Sequence, residues 1–264
     1  MMTMAHRDET ARDYDRAPRL LLLGGTSEAR ALSERLARET GVEALVSLAG
    51  RTSAPLASPL PTRVGGFGGV EGLRRYLIEN GVDRVIDATH PFAERISANA
   101  RQACVALGIP LAVLGREPWR RAPGDRWIEV ADMAAAVAAL GPAPRRVFLT
   151  IGRLSVPAFR AAPQHDYLIR SIEPPEPEEL PPSTELILAR GPFSLDDEMR
   201  LMREKKIDVL VTKNSGGPLT YAKIEAARAL SLETIVVLPP SAPAERRLES
   251  LEAALDFARA KRPA

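Results

Sequence analysis

Cysteine is nearly absent from this sequence: Cys104 stands alone, so no disulfide can close within the chain, and its place in a helical apolar pattern marks it as a small buried hydrophobe. Histidine is scarce too. His6, His90 and His165 lie far apart with no partner at metal-ligand spacing, which argues against a zinc site and against any metal held by side chains alone. Neither sign of charge dominates, because 36 basic and 34 acidic side chains give a formal net charge of +2 and are interspersed along the chain. A nucleic-acid or membrane-surface footprint therefore has no support, and an anionic small molecule must be met by local charge. Long apolar runs are missing as well: the longest, such as the leucines before Gly24, are strand-sized and far short of a membrane span. Residues 1–18 are polar and aperiodic without the apolar stretch of a signal peptide, so they read as a disordered tail on a cytoplasmic protein.

What is present is an ordinary globular composition, 45% apolar and 27% charged over 264 residues, enough for one large domain or two small ones. From Arg19 onward, short apolar runs alternate with helical periodicities: LLLL, then Ala29, Leu32 and Leu36 on one helical face, then VEALVSL, and so on to PLAVLG. Such alternation predicts a parallel sheet with helices on both faces. Between Gly115 and Arg126 the pattern lapses into proline, glycine and charge, the mark of a crossing between domains. The alternation then restarts at WIEV and runs to a closing helix with Leu248, Leu251 and Leu255. The expectation is α/β, two Rossmann-like doubly wound parallel-sheet domains with a cleft between them, the first over 19–120 and the second over 121–264. Ser194 reads as an N-cap, with Asp196, Asp197 and Glu198 as structural acids at the positive end of the following helix.

Candidate chemistry gathers at the strand ends. The first strand runs into Gly24-Gly25-Thr26-Ser27-Glu28, a glycine turn opening a helix, which fits either a phosphate held on backbone N–H groups or a tight turn capped by Thr26 or Ser27. The full G-x-G-x-x-G pattern is not met, and Glu28 would repel a pyrophosphate unless it turns away or binds a ribose hydroxyl. After the second strand, where NAD-selective folds carry an acid, stand Arg51, Thr52 and Ser53. A guanidinium beside two hydroxyls suits a ribose 2′-phosphate and so predicts NADPH over NADH, the bland alternative being an exposed loop arginine. Gly65-Gly66-Phe67-Gly68-Gly69 fits close backbone approach to a ligand or a bulged turn. The fourth strand delivers Thr89 and His90 to the carboxyl edge, where His90 can donate a proton, hydrogen-bond a substrate or brace its loop.

In the second domain, Lys213-Asn214-Ser215-Gly216-Gly217 reads as an anion cradle, followed by a helix bearing Tyr221 and Lys223. Gly152-Arg153, Arg170 and Arg190 end neighbouring strands and would make the cleft positive, although each alone is equally a solvated arginine.

Taken in order, GGTSEAR, AGRT, GGFGG, DATHPFA, ARGPF, TKNSGG and Tyr221-Ala222-Lys223 resemble the precorrin-6A reductase family, over nearly the whole chain from Leu20. The resemblance implies a reductase of corrin biosynthesis that moves hydride from NADPH to a precorrin macrocycle, cobalt-free or cobalt-bearing; the oligomeric state stays open, with a monomer favoured. The assignments that follow are Gly24, Gly25, Thr26, Ser27, Arg51, Thr52, Gly66 and Thr89 to the cofactor and His90 to catalysis. Arg170, Arg190, Lys213, Asn214, Ser215, Gly216, Tyr221 and Lys223 go to the substrate, whose acetate and propionate arms suit them. Two rivals stay open. An NADP-dependent reductase of a small carbonyl substrate would want a Tyr-x-x-x-Lys pair, for which Tyr221 and Lys223 are mis-spaced. A non-catalytic nucleotide or tetrapyrrole carrier would bind without consuming NADPH.

Overall fold

The computed structural model describes residues 16–50, 57–240 and 246–260. They form two six-stranded sheets in which every pairing is parallel.

The first sheet is built on β1 (Arg19–Leu23), β2 (Glu43–Leu48), β3 (Thr62–Val64), β4 (Arg84–Asp87) and β5 (Leu111–Leu114). Its four consecutive leucines are buried on both faces, as a central parallel strand requires. Strand alternation divides them. Leu20 and Leu22 pack with Leu32 and Leu36 of α1 (Ser27–Leu36). Leu21 and Leu23 pack instead with Leu73 and Leu77 of α2 (Gly69–Glu79) and with Ala103 and Cys104 of α3 (Glu94–Leu107). Cys104 is thus the buried apolar side chain its pattern suggested.

The second sheet holds β6 (Arg126–Val130), β7 (Arg146–Thr150), β8 (Asp166–Ser171), β9 (Thr184–Leu188), β10 (Val209–Lys213) and β11 (Glu233–Val237). Val147, Leu149, Val209 and Val211 face α4 (Met133–Ala139) and a 3₁₀ turn at Arg153–Ala161. Phe148, Leu210 and Val236 face α5 (Leu195–Glu204) and α6 (Ala222–Ala229). Ser194 caps α5 by accepting the N–H of Asp197 at 3.1 Å.

The expected extent of the second domain needs correction at its end. The last strand, β12 (Arg246–Leu248), pairs with β5, and α7 (Leu251–Arg259) packs Leu255 and Phe257 onto the α1 face of the first sheet. The chain therefore crosses back after β11. Burial explains it: Leu114 has an open edge in the first sheet, and Leu248 covers it at 3% exposure.

With β12 included, the first sheet runs β12-β5-β4-β1-β2-β3, the strand order of dinucleotide-binding folds, with order reversing between β1 and β4. The second runs β6-β11-β10-β7-β8-β9 and reverses between β7 and β10. Ligands of such sheets sit outside the carboxyl ends at those reversals. Among the described residues, no helix is long and apolar enough to cross a membrane.

Candidate active site between the two sheets

At the first reversal, Gly24 passes closely between strands: its N–H donates to the Ser47 carbonyl at 2.9 Å, and a Cβ there would sit 3.2 Å from Val46. Gly25 differs, with φ +126 and open space where a side chain would begin. Thr26 is a structural clasp. Its hydroxyl accepts the Ala29 N–H as N-cap of α1 and donates to the Ala88 carbonyl at 2.8 Å, tying the loop after β1 to the loop after β4. Ser27 and Glu28 turn toward the domain crossing, where Arg116 donates to the Ser27 hydroxyl at 3.0 Å and pairs with the Glu28 carboxylate at 2.7 Å. Burial pushes the Glu28 carboxyl up, but the Arg116 hydrogen bond and charge outweigh it and hold it below the usual range.

In the loop after β4, buried Asp87 accepts both the N–H and the hydroxyl of Thr89, at 3.0 and 2.7 Å. His90 is exposed, and its Nδ1 accepts the Phe92 N–H at 3.2 Å. The neutral ring then carries its proton on Nε2.

Two cavities open here, and each is walled by both domains. One, of about 400 Å³, is lined by Asp87, Thr89, His90 and Arg116 together with Asn214 and Ser215. The other, of about 390 Å³, lies at the reversal of the second sheet, lined by Gly152, Arg153, Glu173, Lys213, Ser215 and Lys223, with His90 and Phe92 reaching in from the first domain. His90 and Ser215 belong to both walls. Lys213 donates to the Ser155 hydroxyl at 2.9 Å and stands 5.1 Å from the Phe92 ring. Lys223 is 5% exposed. Burial, then the nearby charge of Arg170, bring its ammonium from 10.5 down to about 7 against the opposing pull of Glu198.

The structure thus gathers Thr89, His90, Lys213, Asn214, Ser215 and Lys223 from the sequence candidates. Others lie elsewhere. Arg170 is buried against Glu198 of α5 at 2.7 Å and over the Phe193 ring at 3.7 Å, lining neither cavity. Tyr221 accepts from Arg228 at 2.8 Å and packs on Trp119. Arg190 is exposed and Gly66 gives its carbonyl to Arg63, both outside the two linings. Asn214 reaches a wall, yet its amide is engaged with the backbone of Trp119, accepting its N–H at 2.8 Å and donating to its carbonyl at 2.9 Å. Gly216 packs on the crossing instead of opening to the cleft: a Cβ there would sit 2.4 Å from the Glu117 carbonyl. Arg51 and Thr52 fall outside the described residues. Arg116 was missed, although it stands just beyond the end of β5 at the same sheet edge as the other candidates.

A twin-sheet α/β molecule with a dinucleotide-type strand order and a crevice shared by both domains belongs, by fold and site, to the class of doubly wound α/β enzymes. Residues 19–259 match the family model described as "Precorrin-6x reductase CbiJ/CobK", and the chain belongs to that family. A precorrin-6A reductase of Rhodobacter capsulatus is 51% identical over 239 residues, covering 90% of this chain and 95% of its own. One from Mycobacterium tuberculosis is 48% identical, covering 86% and 91%. A cobalt-precorrin-6A reductase of Salmonella typhimurium is 30% identical, covering 84% and 88%. A solved structure described as "CobK precorrin-6A reductase" superposes with a TM-score of 0.85 at 51% identity, over 91% of this chain and 95% of that one.

Proposed function

We propose that this protein reduces a ring double bond of precorrin-6A with NADPH. The observation that carries the reading is the pair of cavities sharing His90 and Ser215, one at the edge of a dinucleotide-type sheet and one ringed by Arg153, Lys213 and Lys223. Cofactor and acid-fringed substrate would meet at that common wall. The higher identity to relatives named for precorrin-6A, 51% against 30% for one named for the cobalt form, favours the cobalt-free ring.

The residues fit a dinucleotide. Gly25 leaves its backbone open at the positive end of α1, where first-turn N–H groups lack intrahelical partners. Thr26 shapes that turn, Ser27 and Thr89 border it, and Arg51 with Thr52 is our assignment for the 2′-phosphate. Bound NADPH supplies the hydride. His90 borders the shared wall and, as the imidazolium, is our proton donor to the carbon beside the reduced one, returning to the neutral ring, with water as the alternative. Lys213, Ser215 and Lys223 hold carboxylate arms, and the walls from both domains orient the macrocycle.

Mixing purified precorrin-6A with NADPH and the chain, anaerobically, tests this: absorbance of NADPH and of the macrocycle should change together. A carrier would leave NADPH untouched, and a small-substrate reductase would leave the macrocycle unreduced. Arg51→Glu should weaken NADPH far more than NADH, and equal losses would overturn the 2′-phosphate assignment. His90→Ala with unchanged turnover and pH profile would remove His90 as the acid.

A further inference from the structure

The domain crossing is not a passive tether. Arg116 is only 13% exposed in its side chain and touches both ligand loops at once. On one side its guanidinium holds Glu28 and Ser27 in the first turn of α1. On the other its stem lies on the glycines after β10, so close that a Cβ at Gly217 would sit 2.6 Å from the Arg116 Cδ. Its second terminal nitrogen points to the Gly216 carbonyl at 3.5 Å. Three residues on, the Trp119 indole donates to the Gly217 carbonyl at 2.7 Å, and Asn214 clamps the Trp119 backbone. The loop carrying Lys213 and Ser215 is therefore bound to the crossing, and the crossing to α1.

We propose that Arg116 is a positioning residue that couples the two sites, so that dinucleotide and acidic macrocycle bind with positive linkage. The inference rests on the two-ligand reading above. Its physical basis has two parts. Glu28 would repel a pyrophosphate at the start of α1, and Arg116 neutralises and anchors that carboxylate. Arg116 does so with its stem packed on Gly216–Gly217, so in this proposal a ligand that orders the Lys213 loop also orders the cofactor turn. Whichever ligand binds first relieves the second of that ordering cost. Linkage is reciprocal by thermodynamic necessity, which makes the claim measurable from either side.

The test uses NADP⁺ in place of NADPH, so that the full chain holds precorrin-6A without turnover. Calorimetric titration of NADP⁺ with and without saturating precorrin-6A gives the linkage factor. In the unaltered chain precorrin-6A should tighten NADP⁺ by about tenfold, within the usual span of site coupling. The reverse titration should return the same factor. Arg116→Gln should bring it close to one, and so should Glu28→Gln, which keeps the shape of the turn and carries the test even if R116Q does not fold. The double variant should add no further loss. A residue that merely supports the fold would lower both affinities and leave the factor unchanged, and that result would overturn the proposal. A factor of one in the unaltered chain would overturn it as well. Failure of NADP⁺ to bind the unaltered chain at all would instead sink the cofactor reading, and this inference with it.

Discussion

At the end of β1, Gly25 sits at φ +126 with nothing within 4 Å of the point where a side chain would start. Beyond β10, Gly216 sits at φ +66, but the Glu117 carbonyl lies 2.4 Å from the corresponding point. Both loops follow a strand at a sheet reversal, and both need glycine's access to positive φ. Their neighbours separate them. The first loop offers open backbone at a helix N-terminus, whereas the second has its glycines covered by Arg116 and Glu117 and offers the side chains of Lys213 and Ser215. One loop thus suits a phosphate met by backbone N–H groups, and the other suits carboxylates met by an ammonium and a hydroxyl.

The contrast is broken most directly by adding a methyl group at each glycine. Gly216→Ala combines an unfavourable φ with a steric collision against backbone, and should cost about 3 kcal/mol or more of unfolding free energy in a urea titration. Gly25→Ala meets no atom, so only backbone strain remains, about 1–2 kcal/mol, and its larger effect should fall on NADP⁺ affinity. Equal losses of stability at the two sites would erase the distinction. A smaller effect is expected at Lys213→Ala. Losing a charge-assisted hydrogen bond to a carboxylate, roughly 1.5–3 kcal/mol, should lower kcat/KM for precorrin-6A by about 10- to 100-fold. The NADP⁺ dissociation constant, set at the other loop, should stay within about twofold.

Strands and helices were legible because the central strands are buried on both faces and the helices on one, so apolar periodicity follows the contacts directly. Sheet membership was less so. The β12 signal is the short run Arg246–Leu248, and α7 is amphipathic in a way that would suit either sheet, so nothing local says that the chain returns to β5. The glycines after β10 announced close approach without naming the approaching group, and the crossing proved to be that group. Arg170 could have been placed better by parity. It shares a strand face with Leu168, which packs toward α5, while Ile169 faces α4. Glu198 lies one helical turn before buried Met202, on the face that meets that strand. The acid read as a helix-end charge is thus the buried partner of the arginine read as a cleft charge, and one of its oxygens, Oε2, has no hydrogen-bond partner.

That buried pair leads to the gentlest test of the two-loop contrast, a pH profile. Backbone N–H groups do not titrate, so NADP⁺ affinity should hold nearly constant between pH 7 and 9. Substrate capture should not. Lys223 loses its proton around pH 7 in the folded chain, driven first by burial and then by Arg170, with Arg153, Lys213, Glu173 and His90 sharing its cavity and Glu198 opposing the shift. The protonated form is the one that attracts a carboxylate arm, so kcat/KM should fall several-fold from pH 6.5 to 8.5, and Lys223→Met should flatten that limb. Stability should move in the opposite direction. The unfolded chain binds this proton up to about 10.5 and the folded chain only to about 7, so unfolding free energy should rise with pH across that window, with the cost of burying charge fully present below it. Lys223→Met should remove that rise, and a variant that kept it would show that another group titrates in the cavity.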